Sequence, residues 1–412
     1  MLRSKRGQCL LAIAAGFSAA GAHALAVDAT DLLVYSIGPV HLKPQLGASA
    51  QFNDNIFYRP DKPLPGFPNQ PVESDYLAII SPGINLQLGR RDANHIFFDY
   101  RMDESLYTQH RDLDHREHTF SLDSHLQGNR LSFEVNSQVQ LLAGILGGNF
   151  VSTTNILGQR VERSVYSENA RVEYRLTEKV GVYGAFAFDD ADYKQGTPLY
   201  DQNTMVGTAG FSFNPAPKWG LFGELHYGQS ASSPNSTSLP DAPYTISYGG
   251  FVGAKGDFTT RLSGSVKVGY EILEFSGNIP GSSSPVVEAS LTDKFSDRTT
   301  ASLSYSRRNN VSVQIANAAF VSDAVSASLT HTITSDGKFH AAVAGTFGNY
   351  TYEDSGAFAS RLDRTYGVDF ALIYNPQLWL STRLAYGYQR FDSNVTFDYN
   401  VNTVTFTLSV GY

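Results

Sequence analysis

The sequence predicts an all-β protein: an antiparallel transmembrane β-barrel of about eighteen strands, with sixteen as the fallback count and both termini on the periplasmic side. Three observations predict it. Apolar and polar residues alternate with a period of two over long segments, as in Val404, Phe406, Leu408 and Val410 against Thr403, Thr405, Thr407 and Ser409, which places each set on one face of a strand. Aromatic residues gather near the segment ends, for example Tyr100 and Tyr107, Tyr386 and Tyr388, and Phe391 and Tyr399, as an interfacial girdle requires. The connections alternate between tight turns and longer loops, the arrangement of bacterial outer-membrane barrels. A soluble sandwich also alternates, but its strands average about 5–6 residues, whereas these segments run to roughly 12–16, enough to cross a bilayer with tilt.

Composition narrows the field further. The 412 residues are 17% charged and 42% apolar, with 36 glycines, 26 Phe, 23 Tyr and a formal net charge of −8. So many aromatics exclude an acidic disordered chain, and the negative charge disfavours a basic nucleic-acid binder. Beyond the first 24 positions no apolar run of about 18 residues exists, which excludes a helical membrane protein.

The elements follow in order. Residues 1–24 read as a signal peptide: a basic start at Arg3, Lys5 and Arg6, an apolar stretch from Leu10 to Phe17, and the small-x-small site Ala22-His23-Ala24. Cys9 lies inside this leader and is the single cysteine, so disulfides cannot hold the mature fold. Residues 25–39 form a short periplasmic segment, and the barrel occupies 40–412. Its strands are expected near 40–54, 75–88, 94–107, 115–127, 130–143, 163–176, 179–192, 201–213, 218–230, 244–256, 260–275, 284–295, 298–309, 321–334, 337–352, 361–374, 378–391 and 399–411. Tight connections between them, such as 127–129 and 335–337, carry the Gly, Asp, Asn and Pro that close hairpins. Longer loops such as 57–74, 144–162 and 231–243 lie on the other side. Inside hydrocarbon an open sheet edge would leave backbone groups bare, so the last strand must pair with the first. The terminal Tyr412, preceded by apolar residues at alternate positions, resembles the signal read by the outer-membrane barrel assembly machinery.

With the oily rows turned to outer-membrane lipid, the polar rows surround a lumen. Its charges are mixed in sign: Asp99, Arg101, Glu173, Arg171, Arg175, Lys267, Glu271 and Arg383 among them. Two roles compete for such residues. Mixed charges can knit neighbouring strands, or cations can meet carboxylates or sulfates on a passing polymer. Arg101, Arg171, Arg175, Lys267 and Arg383, with Asp99, Glu173 and Glu271, are the substrate-contact candidates, the cations because they are expected mid-strand at a constriction. About eighteen strands leave an aqueous channel. No nucleophile elbow, zinc motif or phosphate-binding loop occurs, so no enzyme activity, cofactor or metal site is expected. His115 and His118 in a polar, acidic loop read as solvated rather than metal-binding.

The stretch Gln51-Phe52-Asn53-Asp54-Asn55-Ile56-Phe57, the Pro/Gly-rich loop after it, and Ser74-Asp75-Tyr76 with Ile80-Ser81-Pro82-Gly83 resemble the beta-barrel porin 2 family of outer-membrane proteins found with exopolysaccharide synthesis systems. The resemblance implies a monomeric barrel that exports a polysaccharide, working beside or completing a periplasmic polysaccharide export protein. Asp54 and Asn55 tolerate turn geometry and bond their own backbone, so they are expected to stop the first strand at the membrane rim. Export of a secreted polysaccharide is the leading expectation. A general or nutrient-specific porin, with 144–162 as its inward loop, is the alternative, and a surface adhesin comes last.

Overall fold

The computed structural model describes residues 33–60, 71–90, 93–145, 159–194, 197, 199–235, 244–276, 280–311, 319–352, 360–394 and 398–411. The leader, Tyr412 and the middle of loop 144–162 lie outside the described residues. A three-residue strand, β1 (Tyr35–Ile37), precedes eighteen long ones: β2 (Val40–Asn53), β3 (Asp75–Gly89), β4 (His95–Tyr107), β5 (His115–Gln127), β6 (Leu131–Leu142), β7 (Arg163–Arg175), β8 (Val180–Tyr193), β9 (Tyr200–Ala216), β10 (Trp219–Pro234), β11 (Thr245–Asp257), β12 (Leu262–Phe275), β13 (Ser282–Ser296), β14 (Thr299–Val311), β15 (Ala319–Thr332), β16 (Phe339–Tyr352), β17 (Arg361–Gln377), β18 (Leu380–Ser393) and β19 (Tyr399–Val410).

Every long strand pairs antiparallel with its neighbour in sequence, and β19 returns to β2. The ring is therefore closed with eighteen strands, as the alternating loops predict. Strand spacing near 4.8 Å and a tilt near 40° give a backbone cylinder about 36 Å across. β1 was not expected from the sequence. It folds back on β2 through Gly38, at φ +60°, with Tyr35 opposite Leu42 and Ile37 opposite Val40, which covers the first three of the six β2 residues that β19 does not pair.

The tight turns have local causes. Gly89 sits at φ +82°, and a Cβ there would lie 2.1 Å from the Asn94 carbonyl oxygen. In the β15–β16 turn, Gly337 takes φ +73° while Asp336 Oδ1 accepts a bond of 3.1 Å from the Lys338 amide, a side chain mimicking a turn.

The large exposed apolar residues of the strands, Leu46, Tyr76, Phe133, Phe186, Val252, Phe370 and Phe406 among them, occupy positions that face one another across the register, as in Phe52 with Tyr76 and Leu384 with Phe406. These are the outward rows, and the orientation expected from the alternation holds. The inward rows depart from expectation near the extracellular rim, where they carry apolar residues as well. Ile56, Leu77, Tyr107 and Leu113 form one buried cluster, Val161, Tyr193 and Leu199 a second, Phe391, Tyr399 and Val401 a third, and Leu273, Phe275 and Ala319 a fourth. They hold loop bases against the inside of the barrel mouth. Each fully buried large side chain contributes about 1.5–3 kcal/mol, so the loop bases have small cores of their own.

Candidate functional site along the inner wall

The inner wall divides into a charged half and a neutral stretch. On β7, Arg171 Nη2 lies 3.3 Å from Glu173 Oε2, and its guanidinium carbon sits 3.5 Å above the Tyr183 ring of β8. Tyr183 Oη donates to Glu224 Oε2 of β10 at 2.9 Å. Glu224 Oε1 is 3.4 Å from Lys267 Nζ of β12, which is 3.0 Å from Glu288 Oε2 of β13. Glu288 Oε1 then meets Arg308 Nη2 of β14 at 2.8 Å. Beside this chain His226 Nε2 lies 3.1 Å from Glu271 Oε1, near but without hydrogen-bond alignment.

Two of these links skip a strand, and glycine makes that possible. Tyr183 and Glu224 are each opposite Gly210 of β9, where a Cβ would come within 2.3 Å of the Tyr183 ring. Lys267 is opposite Gly253 of β11. Phe251 lies close over Gly269, 2.4 Å from the place a Cβ would take. The bare backbone lets the rings lie along the wall and lets acid and base meet above it.

A second charged group lines β3 to β6. Arg101 Nε is 2.9 Å from Asp103 Oδ2, and Ser81 Oγ donates to Asp103 Oδ1 at 2.6 Å. Asn85 Nδ2 donates to Asp99 Oδ2 at 3.1 Å. Between Glu288 and β17 the wall turns neutral: Ser265 and Ser290 share a hydrogen bond of 2.8 Å, Thr292 and Ser302 one of 3.2 Å, and Ser304 and Ser326 one of 2.6 Å.

The candidates from the sequence thus separate. Arg171, Glu173, Lys267 and Glu271 come together on one wall, and Asp99 and Arg101 stand on another. Arg383 lies apart from both groups on β18, opposite Ile373 and Thr407 and within electrostatic reach of Asp369 on β17. Arg175 is corrected: it is the last residue of β7, not a mid-strand cation, and its Nη2 bonds the Gly128 and Asn129 carbonyl oxygens at 3.2 and 2.7 Å, bracing the β5–β6 turn. Glu224 and Tyr183, which link the two ends of the chain, were not singled out in the sequence. His115 and His118 face opposite sides of β5, with His118 Nδ1 3.0 Å from Tyr100 Oη. Among the described residues no acid, histidine or cysteine group has metal-holding geometry.

Asp54 and Asn55 do more than stop a strand. The β2–β19 seam has eight register pairs, against fourteen between β2 and β3. Asp54 extends it: its Oδ1 accepts from the Asn402 amide at 2.7 Å, its Oδ2 from Asn402 Nδ2 at 2.6 Å, and its own amide donates to the Asn402 carbonyl at 3.1 Å. Asn55, 1% exposed, donates from Nδ2 to the carbonyls of Asn400 and Arg59, and its Oδ1 accepts from the Arg59 amide. The motif clasps the barrel where the two chain ends meet.

Above the clasp, His110 joins the first two loops. Its Nδ1 is 3.0 Å from Asp75 Oδ2 and its Nε2 2.7 Å from Glu73 Oε2, and Glu73 also meets Arg59. The hydrogen bond to Asp75 raises the His110 pKa above its ordinary value. The Arg59 contact, followed by that of His110, lowers the pKa of Glu73.

The chain is similar to several solved structures. They include the Pseudomonas aeruginosa outer membrane protein opdK (TM-score 0.48, 9% identity, 90% of this chain and 99% of that one), Acinetobacter baumannii OccAB4 (0.45, 9%, 90% and 98%) and the Acinetobacter baumannii outer membrane channel DcaP (0.43, 11%, 92% and 99%). No curated protein matches the chain. A family model described as "Putative beta-barrel porin 2" matches residues 35–412, and the chain belongs to that family.

Proposed function

We propose that this barrel is a passive channel for small hydrophilic solutes. As a member of a porin family it is an outer-membrane channel and not an enzyme. The observation that carries the finer reading is the self-neutralised inner wall. Lys267 touches two carboxylates and Arg171 a carboxylate and a ring. Cations held in this way have little left to grip a passing polyanion, yet they keep the lumen wet and the strands rigid. A solute then crosses by diffusion, with no covalent step.

Planar-bilayer recording of the purified barrel tests this, together with swelling of liposomes in neutral mono- and disaccharides. Stepwise conductance and swelling that falls with solute size are expected. An inserted barrel that neither conducts nor admits sugars would overturn the reading.

Export of a secreted polysaccharide, beside a periplasmic export protein, is the second reading. It draws support from the neutral hydroxyl stretch of β13 to β15, which can donate to and accept from sugar hydroxyls along its length. Deleting the gene would then abolish secreted polysaccharide while repeat-unit synthesis continued, and unchanged secretion would refute it.

A further inference from the structure

The outward rows carry charge almost only near their extracellular ends. Carboxylates mark the arc from β7 to β12 (Glu168, Asp190 and Glu274), and guanidiniums the arc from β14 to β18 (Arg307, Arg364 and Arg390). Glu168 lies near the middle of β7, and the other five lie in the extracellular halves of their strands. Charges gathered toward the extracellular rim indicate contact with a polar zone of the outer leaflet.

Most of these groups are matched within the barrel. Arg307 Nη1 lies 3.0 Å from both oxygens of Asp323, which also accepts from Tyr305 Oη at 2.7 Å. On β4 and β5, Arg116 Nη2 meets Glu104 Oε1 at 2.8 Å. The β17–β18 patch differs. Arg390 Nε takes Asp392 Oδ1 at 2.7 Å. Arg364 stands opposite that same Asp392 in the register, and its Nε donates to the neutral Asn349 Oδ1 at 3.4 Å. Two exposed guanidiniums therefore stand beside a single carboxylate, which Arg390 engages. Directly below them on the same outward rows come Tyr366, Val368 and Phe370, an apolar track leading toward the bilayer centre.

We propose that Arg364 and Arg390 bind a phosphate on the headgroup of a phosphorylated glycolipid in the outer leaflet, with its acyl chains lying on the Val368–Phe370 track. A planar guanidinium matches phosphate oxygens in bidentate fashion. The surplus positive charge supplies the complement, and the apolar residues beneath supply the surface that free phosphate would not use. This proposal is independent of what passes through the lumen.

The test uses the full-length mature barrel in neutral detergent, stripped of lipid, titrated with diphosphoryl lipid A and followed by native mass spectrometry. At about 1 kcal/mol for each cation near a membrane surface, the Arg364→Gln/Arg390→Gln variant is expected to bind roughly thirtyfold more weakly. Dephosphorylated lipid A is expected to bind the wild-type barrel as weakly. The Arg364→Lys/Arg390→Lys variant keeps the charge without the planar fork, so it is expected to retain intermediate affinity. The gel shift between folded and heat-denatured barrel checks that each variant is closed, and the comparison of the two lipids on wild-type protein stands even if a variant fails to fold. Equal binding of both lipids, or of wild type and the Gln variant, would overturn the proposal. Inorganic phosphate binding as tightly as the lipid would overturn the glycolipid as occupant.

Discussion

The Asp54 clasp yields the sharpest prediction. Replacing Asp54 with Ala removes two hydrogen bonds to a carboxylate, those from Asn402 N and Nδ2 at 2.7 and 2.6 Å. Each such bond contributes about 1.5–3 kcal/mol. Asp54 is half-buried at the rim, where water can replace part of that, so a loss of about 2–4 kcal/mol is expected. The loss falls on a seam of only eight register pairs, the place where the ring opens if β2 and β19 part. For a chain of this size it corresponds to a drop of roughly 2–5 °C in unfolding midpoint. The assay is the temperature at which the purified barrel changes from its compact to its unfolded mobility in gels run without boiling. Asp54→Asn is expected to fall between, since its amide oxygen can still accept from the Asn402 backbone while its NH₂ confronts that of Asn402. Asp112→Ala, in an exposed turn, serves as the control. A midpoint for Asp54→Ala equal to wild type, or to the Asp112 control, would refute the clasp.

Three further outcomes follow from the same geometry. Lys267→Met leaves Glu224 without its cation and Glu288 with Arg308 alone, so the reversal potential in a salt gradient is expected to move toward cation selectivity. Gly210→Ala places a methyl 2.3 Å from the Tyr183 ring; the ring must leave the wall, and unitary conductance is expected to fall, most clearly for larger ions. His110 has a native pKa raised above its ordinary value of 6.5, so its bridge between Glu73 and Asp75 is complete below about pH 6.5 and is lost as pH rises through the raised native value. Glu73, with a lowered pKa, contributes above the ordinary glutamate range and loses its part as pH falls through the lowered value. Limited proteolysis at residues 108–114 is therefore expected to accelerate at alkaline pH in wild type and to lose that dependence in His110→Gln.

Alternation alone told which face of each strand a residue occupies, because a period of two leaves no other choice for a long extended segment. It placed Arg171, Lys267 and Glu271 on the inner wall and located the hairpin turns, whose Gly, Asp and Asn residues are local signals. It also led to eighteen strands and to the need for closure, since hydrocarbon cannot satisfy a bare edge. Three things escaped it. Partnership on the wall depends on register summed over several hairpins and on glycines in the strands between, so the links from Tyr183 to Glu224 and from Glu224 to Lys267 exist only in three dimensions. Arg175 was grouped with the mid-strand cations although its expected strand ends at residue 176, and only the fold shows it bracing a turn. Asp54 and Asn55 read as a local stop, yet their partners lie about 350 positions away at Asn400 and Asn402. A local pattern decides which way a side chain points; what it meets is decided when the two ends of the chain are brought together.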